Sequence, residues 1–283
     1  MHIIKWLSVI AAAIALPALS ADEPSSRLQS VDVVGTALRA TYADGKVVSG
    51  DALTGAILSL RIAGMSAVQR VRLDQIIVDP ADPAGDLLLY RITVLAQPNG
   101  ISHDLCDPVS SGERWAFPLK GQWDSEGRRV SQDGLTLVCA GGGAIGKCVR
   151  WGYKPWAVTP SGVALAPYHA ACVNMVRANY CGNHGTTRDG MTIEFDDAAG
   201  VNKPDQDAVR RLGLLFEAAW SPMGAVCVAH SRVPTNVSLT ALARTCPRLQ
   251  KRVGPKKCIE GLARNGYYGP ALIFERSRFE RSR

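Results

Sequence analysis

Between residues 31 and 130 the apolar positions alternate with polar ones or form short apolar runs, a pattern typical of β-strands. Segments 31–42 and 46–49 flank an Ala-Asp-Gly triplet at 43–45, and because Asp-Gly tolerates positive φ, this arrangement predicts a β-hairpin. The Asp- and Pro-rich stretch 79–83 predicts a break between strands. Further strands are predicted at residues 56–62, 87–95, 115–123 and 135–139.

In the second half of the chain the spacing changes to that of helices. Apolar residues recur at intervals of three and four across residues 165–180, which predicts an amphipathic helix with Pro167 in its first turn and a stop at 181–182 (Cys-Gly). Segments 213–220 and 225–230 flank a Ser-Pro-Met-Gly turn, which predicts a second antiparallel hairpin. Strands are also predicted at 191–195 and 271–275, and short helices at 205–211, 238–244 and 255–265.

These elements place the chain in the α+β class: β-rich, with antiparallel hairpins and one central amphipathic helix. The last ten residues repeat the word Phe-Glu-Arg-Ser-Arg, which is too short to be a structural repeat. The sequence leaves open whether the N-terminal region is a separate domain. The predicted divisions are a leader at 1–21, a β-rich region at 22–130, a second domain at 131–273 and a basic C-terminal tail at 274–283.

The first 21 residues have the composition of an export signal. A short basic segment that ends at Lys5 precedes a mostly apolar run at 6–16, and Ala-Leu-Ser at 18–20 satisfies the small-x-small cleavage rule. The run is too short for a bilayer core of about 30 Å, which takes about 20 residues, and no later run is long enough. We therefore expect a secreted or periplasmic protein without a transmembrane anchor; an uncleaved N-terminal anchor is the alternative.

Eight cysteines follow the leader, and an even number in an oxidising compartment predicts disulfides rather than zinc ligands. Cys172 and Cys181 are not expected to pair, since a helix between them would hold them about 13 Å apart. Glycines between Cys139 and Cys148 would let those two approach as partners. The predicted disulfide residues are Cys106, Cys139, Cys148, Cys172, Cys181, Cys227, Cys246 and Cys258.

The formal net charge is +7 at neutral pH, and the excess is locally dense at 251–252 (Lys-Arg) and at 256–257 (Lys-Lys). Such an excess suits contact with an anionic envelope surface. An ordinary solvated surface also explains it and is the preferred interpretation. No nucleic-acid partner is expected.

Several sequence segments in the middle of the chain resemble those of a known family. The segment 146–156 (GKCVRWGYKPW) leads to 169–181 (HAACVNMVRANYC), followed by 187–190 (TRDG) and 216–222 (FEAAWSP). In these segments the chain resembles the ADYC-domain family of exported bacterial proteins. The resemblance extends from about residue 138 to 247, with weaker similarity at 35–50. Asn179 stands where that family has Asp. The resemblance implies an ADYC-like domain at 131–273 and supplies no catalytic residues.

Three aromatic residues, Trp151, Tyr153 and Trp156, stand among Gly, Lys and Pro. On an exposed loop they would form a stacking platform for a sugar or a protein; folded inward, they would cover the core. The preceding stretch 141–148 (GGGAIGKC) nearly matches a phosphate-binding loop, but a cysteine replaces the required hydroxyl, so a flexible glycine turn is predicted instead.

No hydrolase elbow and no zinc helix is present in the sequence. His169 and His184 are the best acid–base candidates, with Asp189 as a partner. An acidic stretch from Asp189 to Asp207 could hold Ca²⁺, although its spacing fits no EF-hand and a solvated turn is the preferred interpretation. No cofactor or metal site is predicted.

The preferred hypothesis is a non-enzymatic exported module that binds an envelope or extracellular partner through Trp151, Tyr153 and Trp156. The alternative is an exported hydrolase with a histidine-based acid–base site. A purely structural role is the third hypothesis.

Overall fold

The computed structural model describes residues 7–9, 13–15, 28–61, 68–96, 100–108 and 112–278. The chain forms two compact units, Met1–Arg150 and Trp151–Arg283. The strand and the helix that follow residue 128 pack within the first unit, and the predicted domain division at residue 130 stays a prediction.

The first unit contains a large antiparallel sheet in the strand order β1-β11-β10-β8-β7-β6-β2, with β9 paired to β8. The long strand β7 was not predicted, although its buried Val71 and Leu73 alternate with exposed Arg70 and Arg72 as in a half-buried strand. The strands are β1 (Leu7–Val9), β2 (Ala13–Ala15), β6 (Ile57–Arg61), β7 (Val68–Val78), β8 (Leu88–Val94), β9 (His103–Asp104), β10 (Trp115–Trp123) and β11 (Arg129–Cys139).

A smaller sheet of the same unit consists of β3 (Leu28–Val34), β4 (Ala37–Tyr42) and β5 (Val47–Ser49). The hairpin predicted at 43–45 is confirmed between β4 and β5, where the backbone N–H of Gly45 donates to the Tyr42 carbonyl at 2.9 Å. The single strand predicted at 31–42 is two strands, because Gly35 has a φ of 62° and turns the chain.

The glycine stretch at 141–148 is not a flexible turn; it leads into the helix α1 (Ala144–Arg150). Gly146 lies so close to the preceding strand that a Cβ there would be 2.5 Å from the Cys139 carbonyl oxygen. The suggested pairing of Cys139 with Cys148 is wrong, since Cys139 is bonded to Cys106 with a Cα–Cα distance of 5.6 Å.

The second unit has one four-stranded antiparallel sheet in the order β12-β15-β13-β14. The helix α2 packs against β13, β14 and β15. The hairpin predicted around residues 221–224 is confirmed as β13 and β14. The elements are α2 (Ala166–Val176), β12 (Ile193–Asp197), α3 (Gln206–Leu212), β13 (Leu214–Ser221), β14 (Gly224–Val228), α4 (Leu239–Thr245), α5 (Glu260–Arg264) and β15 (Ile273–Arg278).

The structure does not confirm that the central helix is amphipathic. Seven of the eleven residues of α2 are buried, and five of them, 171–175, are consecutive and so surround the helix axis. Its end also differs from the prediction, since α2 stops at Val176 rather than at Cys181-Gly182.

Two of the predicted short helices begin at capping side chains. Ser238 accepts a hydrogen bond from the Ala241 N–H at the start of α4, and Asp205 caps α3 in the same way. The strand β15 continues through Arg278, so residues 274–278 of the predicted tail belong to the sheet. Residues 279–283 lie outside the described part of the chain. Among the described residues, no helix is long and apolar enough to cross a membrane.

Candidate functional site

A cleft of about 410 Å³ lies on the second unit, between the segment that follows α4 and the turn that follows α5. We call it the cationic cleft, because its eight lining residues include four basic side chains and no carboxylate. The lining residues are Lys251, Arg252, Lys256, Lys257, Ile259, Leu262, Tyr267 and Tyr268.

The basic wall of the cationic cleft is fixed to the sheet by covalent and backbone bonds. Cys258 forms a disulfide with Cys227 on β14, with a Cα–Cα distance of 5.4 Å. The backbone N–H of Val228 donates to the Arg252 carbonyl at 3.0 Å, and that of Gly254 donates to the Val228 carbonyl at 2.8 Å. These bonds fix the backbone of the basic segment before any ligand arrives, which lowers the entropy cost of binding.

Two adjacent tyrosines form the opposite wall. Tyr268 is buried, its hydroxyl accepts a hydrogen bond from the Ile259 N–H at 3.2 Å, and its carbonyl accepts one from the Arg252 guanidinium. Tyr267 is exposed and meets the Tyr268 ring edge-on, with ring centroids 5.0 Å apart. One tyrosine therefore anchors the wall, and the other presents its ring to solvent.

The lysines of the cationic cleft are not neutralised by the protein. Glu260, the carboxylate closest to them in sequence, binds Arg264 at 2.7 Å and also pairs with Arg276. Within the described residues no carboxylate forms an ion pair with Lys251, Lys256 or Lys257. The cleft therefore carries a local excess of positive charge that attracts anions.

A second polar cluster lies in the interior of the same unit, centred on Arg232. Its guanidinium donates from Nε to Glu217 Oε2 at 3.1 Å and from Nη2 to the Met175 carbonyl at 2.8 Å. Glu275 Oε1 lies 3.1 Å from Nη2, without the alignment of a hydrogen bond. Tyr180 completes the cluster by donating from its hydroxyl to Glu217 at 2.6 Å. All four side chains are buried, so the cluster is part of the core rather than a solvent-facing site.

The pKa values of the two carboxyls in this cluster are shifted in opposite directions. Burial, together with the neighbouring Glu217, raises the pKa of Glu275 well above its usual value, which favours the neutral form of this side chain. Burial acts on Glu217 too, but the attraction of Arg232 and hydrogen bonds from its neighbours hold the pKa of Glu217 below its usual value. Arg232 therefore stabilises the charged form of Glu217, whereas burial favours the neutral form of Glu275.

A histidine and a serine meet beside this cluster. His230 Nε2 lies 3.1 Å from Ser277 Oγ, which is the contact that a base and a nucleophile make in hydrolases. Both residues are buried, and burial lowers the pKa of His230. The pair has hydrolase-like chemistry, but solvent does not reach it.

The segment at 178–181, which corresponds to the name-giving motif of the resembled family, ends α2 and connects it to the core. Ala178 has a φ of 48°, and the N–H groups of Ala178 and Asn179 donate to the carbonyls of Met175 and Asn174 at 3.0 and 2.8 Å. This is a Schellman helix end, which explains why α2 stops before Cys181. Cys181 pairs with Cys246, which confirms that it does not pair with Cys172. The segment has a structural role.

The three aromatic residues predicted to bind a partner differ in their exposure to solvent. Tyr153 is buried, and its hydroxyl donates to Asp197 at 2.8 Å. Trp151 packs on Phe195 with ring centroids 4.9 Å apart. Trp156 is 36% exposed. Of the three, Trp156 is therefore the exposed one, and binding at this segment stays a prediction.

The predicted acid–base residues are not assembled into one site. His169 is buried in α2, whereas His184 and Asp189 lie in the exposed loop that follows. Within the described residues no hydrogen bond or ion pair joins His184 to Asp189.

Carboxylates of the acidic stretch bind backbone N–H groups and arginines of the protein itself. Asp197 accepts hydrogen bonds from three backbone N–H groups, and Asp196 binds Arg264 and Arg276. In the described part of the chain no group of three or more His, Cys, Asp or Glu side chains is arranged to hold a metal ion. All eight cysteines are disulfide-bonded.

A comparison with known families identifies the family of this chain. The model of the ADYC domain matches residues 50–234, which is more than half of the chain, and the protein belongs to the ADYC-domain family. The matched span includes Tyr180, Glu217 and Arg232 of the buried cluster and ends before the cationic cleft. Neither a comparison with curated proteins nor one with solved structures found a match.

Sequence reasoning noticed the charges of the cationic cleft but not the cleft. Lys251, Arg252, Lys256 and Lys257 stood out as dense basic positions and were interpreted as solvated surface. The nearby pair Tyr267-Tyr268, which follows a short helix, was a further signal that the sequence offered.

Proposed function

We propose that this protein is an exported, non-enzymatic binding module whose ligand is an anionic component of the envelope or of the extracellular medium, bound in the cationic cleft. The observation that carries the proposal is the set of lysines without carboxylate partners, held around a cleft by a disulfide. Export is supported by the signal-like leader and by the oxidised state of all eight cysteines.

Replacing the three cleft lysines together should weaken binding of anionic ligands. We expect Lys251→Gln/Lys256→Gln/Lys257→Gln to reduce the affinity for a soluble polyanion such as heparin on the order of tenfold to a hundredfold, because each exposed charge contributes about 1 kcal/mol at contact distance. The measurement is a titration by calorimetry at low and moderate ionic strength, and the affinity of the unaltered protein should fall with added salt.

The matched control removes the same charge elsewhere. Lys46, Lys147 and Lys203 are exposed and do not line the cleft, so Lys46→Gln/Lys147→Gln/Lys203→Gln should leave the affinity nearly unchanged. Equal losses in the two triple variants would show that net charge alone attracts the ligand and would refute the cleft as the binding site.

The second candidate function is an exported hydrolase, and the contact between His230 and Ser277 is the observation that favours it. Labelling with a fluorophosphonate probe tests it directly, since such probes react with activated serines. We expect no labelling, because both residues are buried. Labelling that disappears in Ser277→Ala would establish the hydrolase instead.

A further inference from the structure

The apolar residues of the cationic cleft are unusually exposed. Ile259, Leu262 and Tyr267 have 47%, 39% and 73% of their surface in solvent. Ile259 and Leu262 are three positions apart at the start of α5, and both line the cleft together with Lys256 and Lys257. The protein thus keeps an apolar rim directly beside unpaired lysines.

A fully hydrophilic anion would use only half of this surface. It would bind the lysines and leave Ile259, Leu262 and the ring of Tyr267 in water. An anionic lipid uses both halves, because its phosphate matches the lysines and its hydrocarbon matches the apolar rim. Lysine side chains also suit an interface, since their methylene stems pack on apolar surface while the ammonium groups reach the phosphates.

The cleft is suited to an interface in its rigidity as well. The disulfide between Cys227 and Cys258 and the bond from the Ile259 N–H to the Tyr268 hydroxyl fix the apolar rim relative to the basic wall. The two kinds of contact are therefore available at the same time, without a conformational change.

We propose that the ligand of the cationic cleft is an anionic phospholipid surface, with lipid phosphates at Lys251, Lys256 and Lys257 and the interfacial hydrocarbon against Ile259, Leu262 and Tyr267. This inference rests on the proposed function and names the chemistry of its ligand.

The test is co-sedimentation of the oxidised protein with vesicles of phosphatidylcholine alone or mixed with phosphatidylglycerol. We expect binding only to the mixed vesicles. The variant Ile259→Ser/Leu262→Ser should weaken this binding about tenfold or more, because it removes the apolar contact. Serine at position 259 precedes α5 and is a good N-cap residue, so the variant should fold. The matched control, Val158→Ser/Leu215→Ser, changes two apolar residues outside the cleft that are more exposed than Ile259 and Leu262, and it should bind like the unaltered protein.

Titrations with heparin and with glycerol 3-phosphate separate the possible outcomes. Loss of vesicle binding in Ile259→Ser/Leu262→Ser, with the affinity for heparin retained, supports the lipid surface. Vesicle binding that does not change in this variant, or binding to heparin alone, overturns the lipid inference and leaves an anion-binding module. Absence of binding to vesicles and to both soluble anions refutes the lipid inference and the proposed function together.

Discussion

Arg232→Met should destabilise the protein by about 3–5 kcal/mol at neutral pH, because it leaves the Glu217 carboxylate buried without a counter-charge. The guanidinium also satisfies the carbonyls of Met175 and Val176 at the end of α2, and methionine cannot replace those hydrogen bonds. The measurement is chemical denaturation followed by circular dichroism. Arg210→Met removes an arginine from an exposed ion pair with Asp207 and should cost less than about 1 kcal/mol.

The loss of stability caused by Arg232→Met should depend on pH in a defined direction. In the unaltered protein the pKa of Glu217 is lowered, so its stabilising contribution is present above about pH 4.5 and is lost as the pH falls through the folded-state pKa. Without Arg232, burial would raise that pKa, and stability would instead fall as the pH rises above 4.5. The destabilisation should therefore be greatest at neutral pH and smaller in mild acid. A deficit that is small, or equal at both pH values, would contradict the buried ion pair.

Reduction of the disulfides should unfold the protein. The bond between Cys181 and Cys246 closes 65 residues and that between Cys227 and Cys258 closes 31, for which the loss of unfolded-state entropy amounts to about 4 kcal/mol each. Together they are comparable to the whole stability of a typical domain, about 5–15 kcal/mol. We expect the melting temperature to fall steeply with added reductant.

Two double variants distinguish the contributions of the two disulfides. Cys181→Ser/Cys246→Ser should lower the free energy of unfolding by about 4 kcal/mol while Cys227→Ser/Cys258→Ser, at similar cost, should additionally loosen the cationic cleft and weaken anion binding. Thiol labelling without reductant is the control and should find no free cysteine. A melting temperature that is unchanged by reductant would refute this account of stability.

The sequence predicted the elements that depend on neighbouring residues. The hairpin at 43–45 follows from Asp-Gly, the hairpin at 221–224 from Pro and Gly in their turn positions, and the start of α4 from Ser238. Each of these signals works through hydrogen bonds or φ angles within a few residues, so no knowledge of the fold is required.

Predictions that required tertiary contacts were less successful. The spacing of apolar residues in α2 indicated one buried stripe, but Asn174 and His169 are buried as well, because polar side chains are accepted where partners surround them. Cys139 was paired with its near neighbour in sequence, whereas its partner, Cys106, lies 33 residues earlier.

The candidate site was out of reach of sequence reasoning for the same physical reason. Its basic wall and its tyrosine wall belong to separate segments, and Cys227 on β14 brings one of them into place. The buried cluster is equally non-local, since Tyr180, Glu217, Arg232 and Glu275 come together only when β13 and β15 pair under α2. The pattern and spacing of residues along the chain do not show which residues distant in sequence lie close together in the fold.

The pair of amides beneath the end of α2 has a consequence for the family as a whole. Asn179 Nδ2 donates to Asn174 Oδ1 at 3.1 Å, and Asn174 Nδ2 in turn donates to the carbonyl of Pro222 at 3.0 Å. The resembled motif has aspartate at position 179, and a carboxylate there would set two acceptors against each other. In a chain with that aspartate, rotation of the Asn174 amide would turn Nδ2 towards position 179 and would remove its hydrogen bond to the Pro222 carbonyl, so the residue at position 179 affects how the hairpin turn at 221–224 is held.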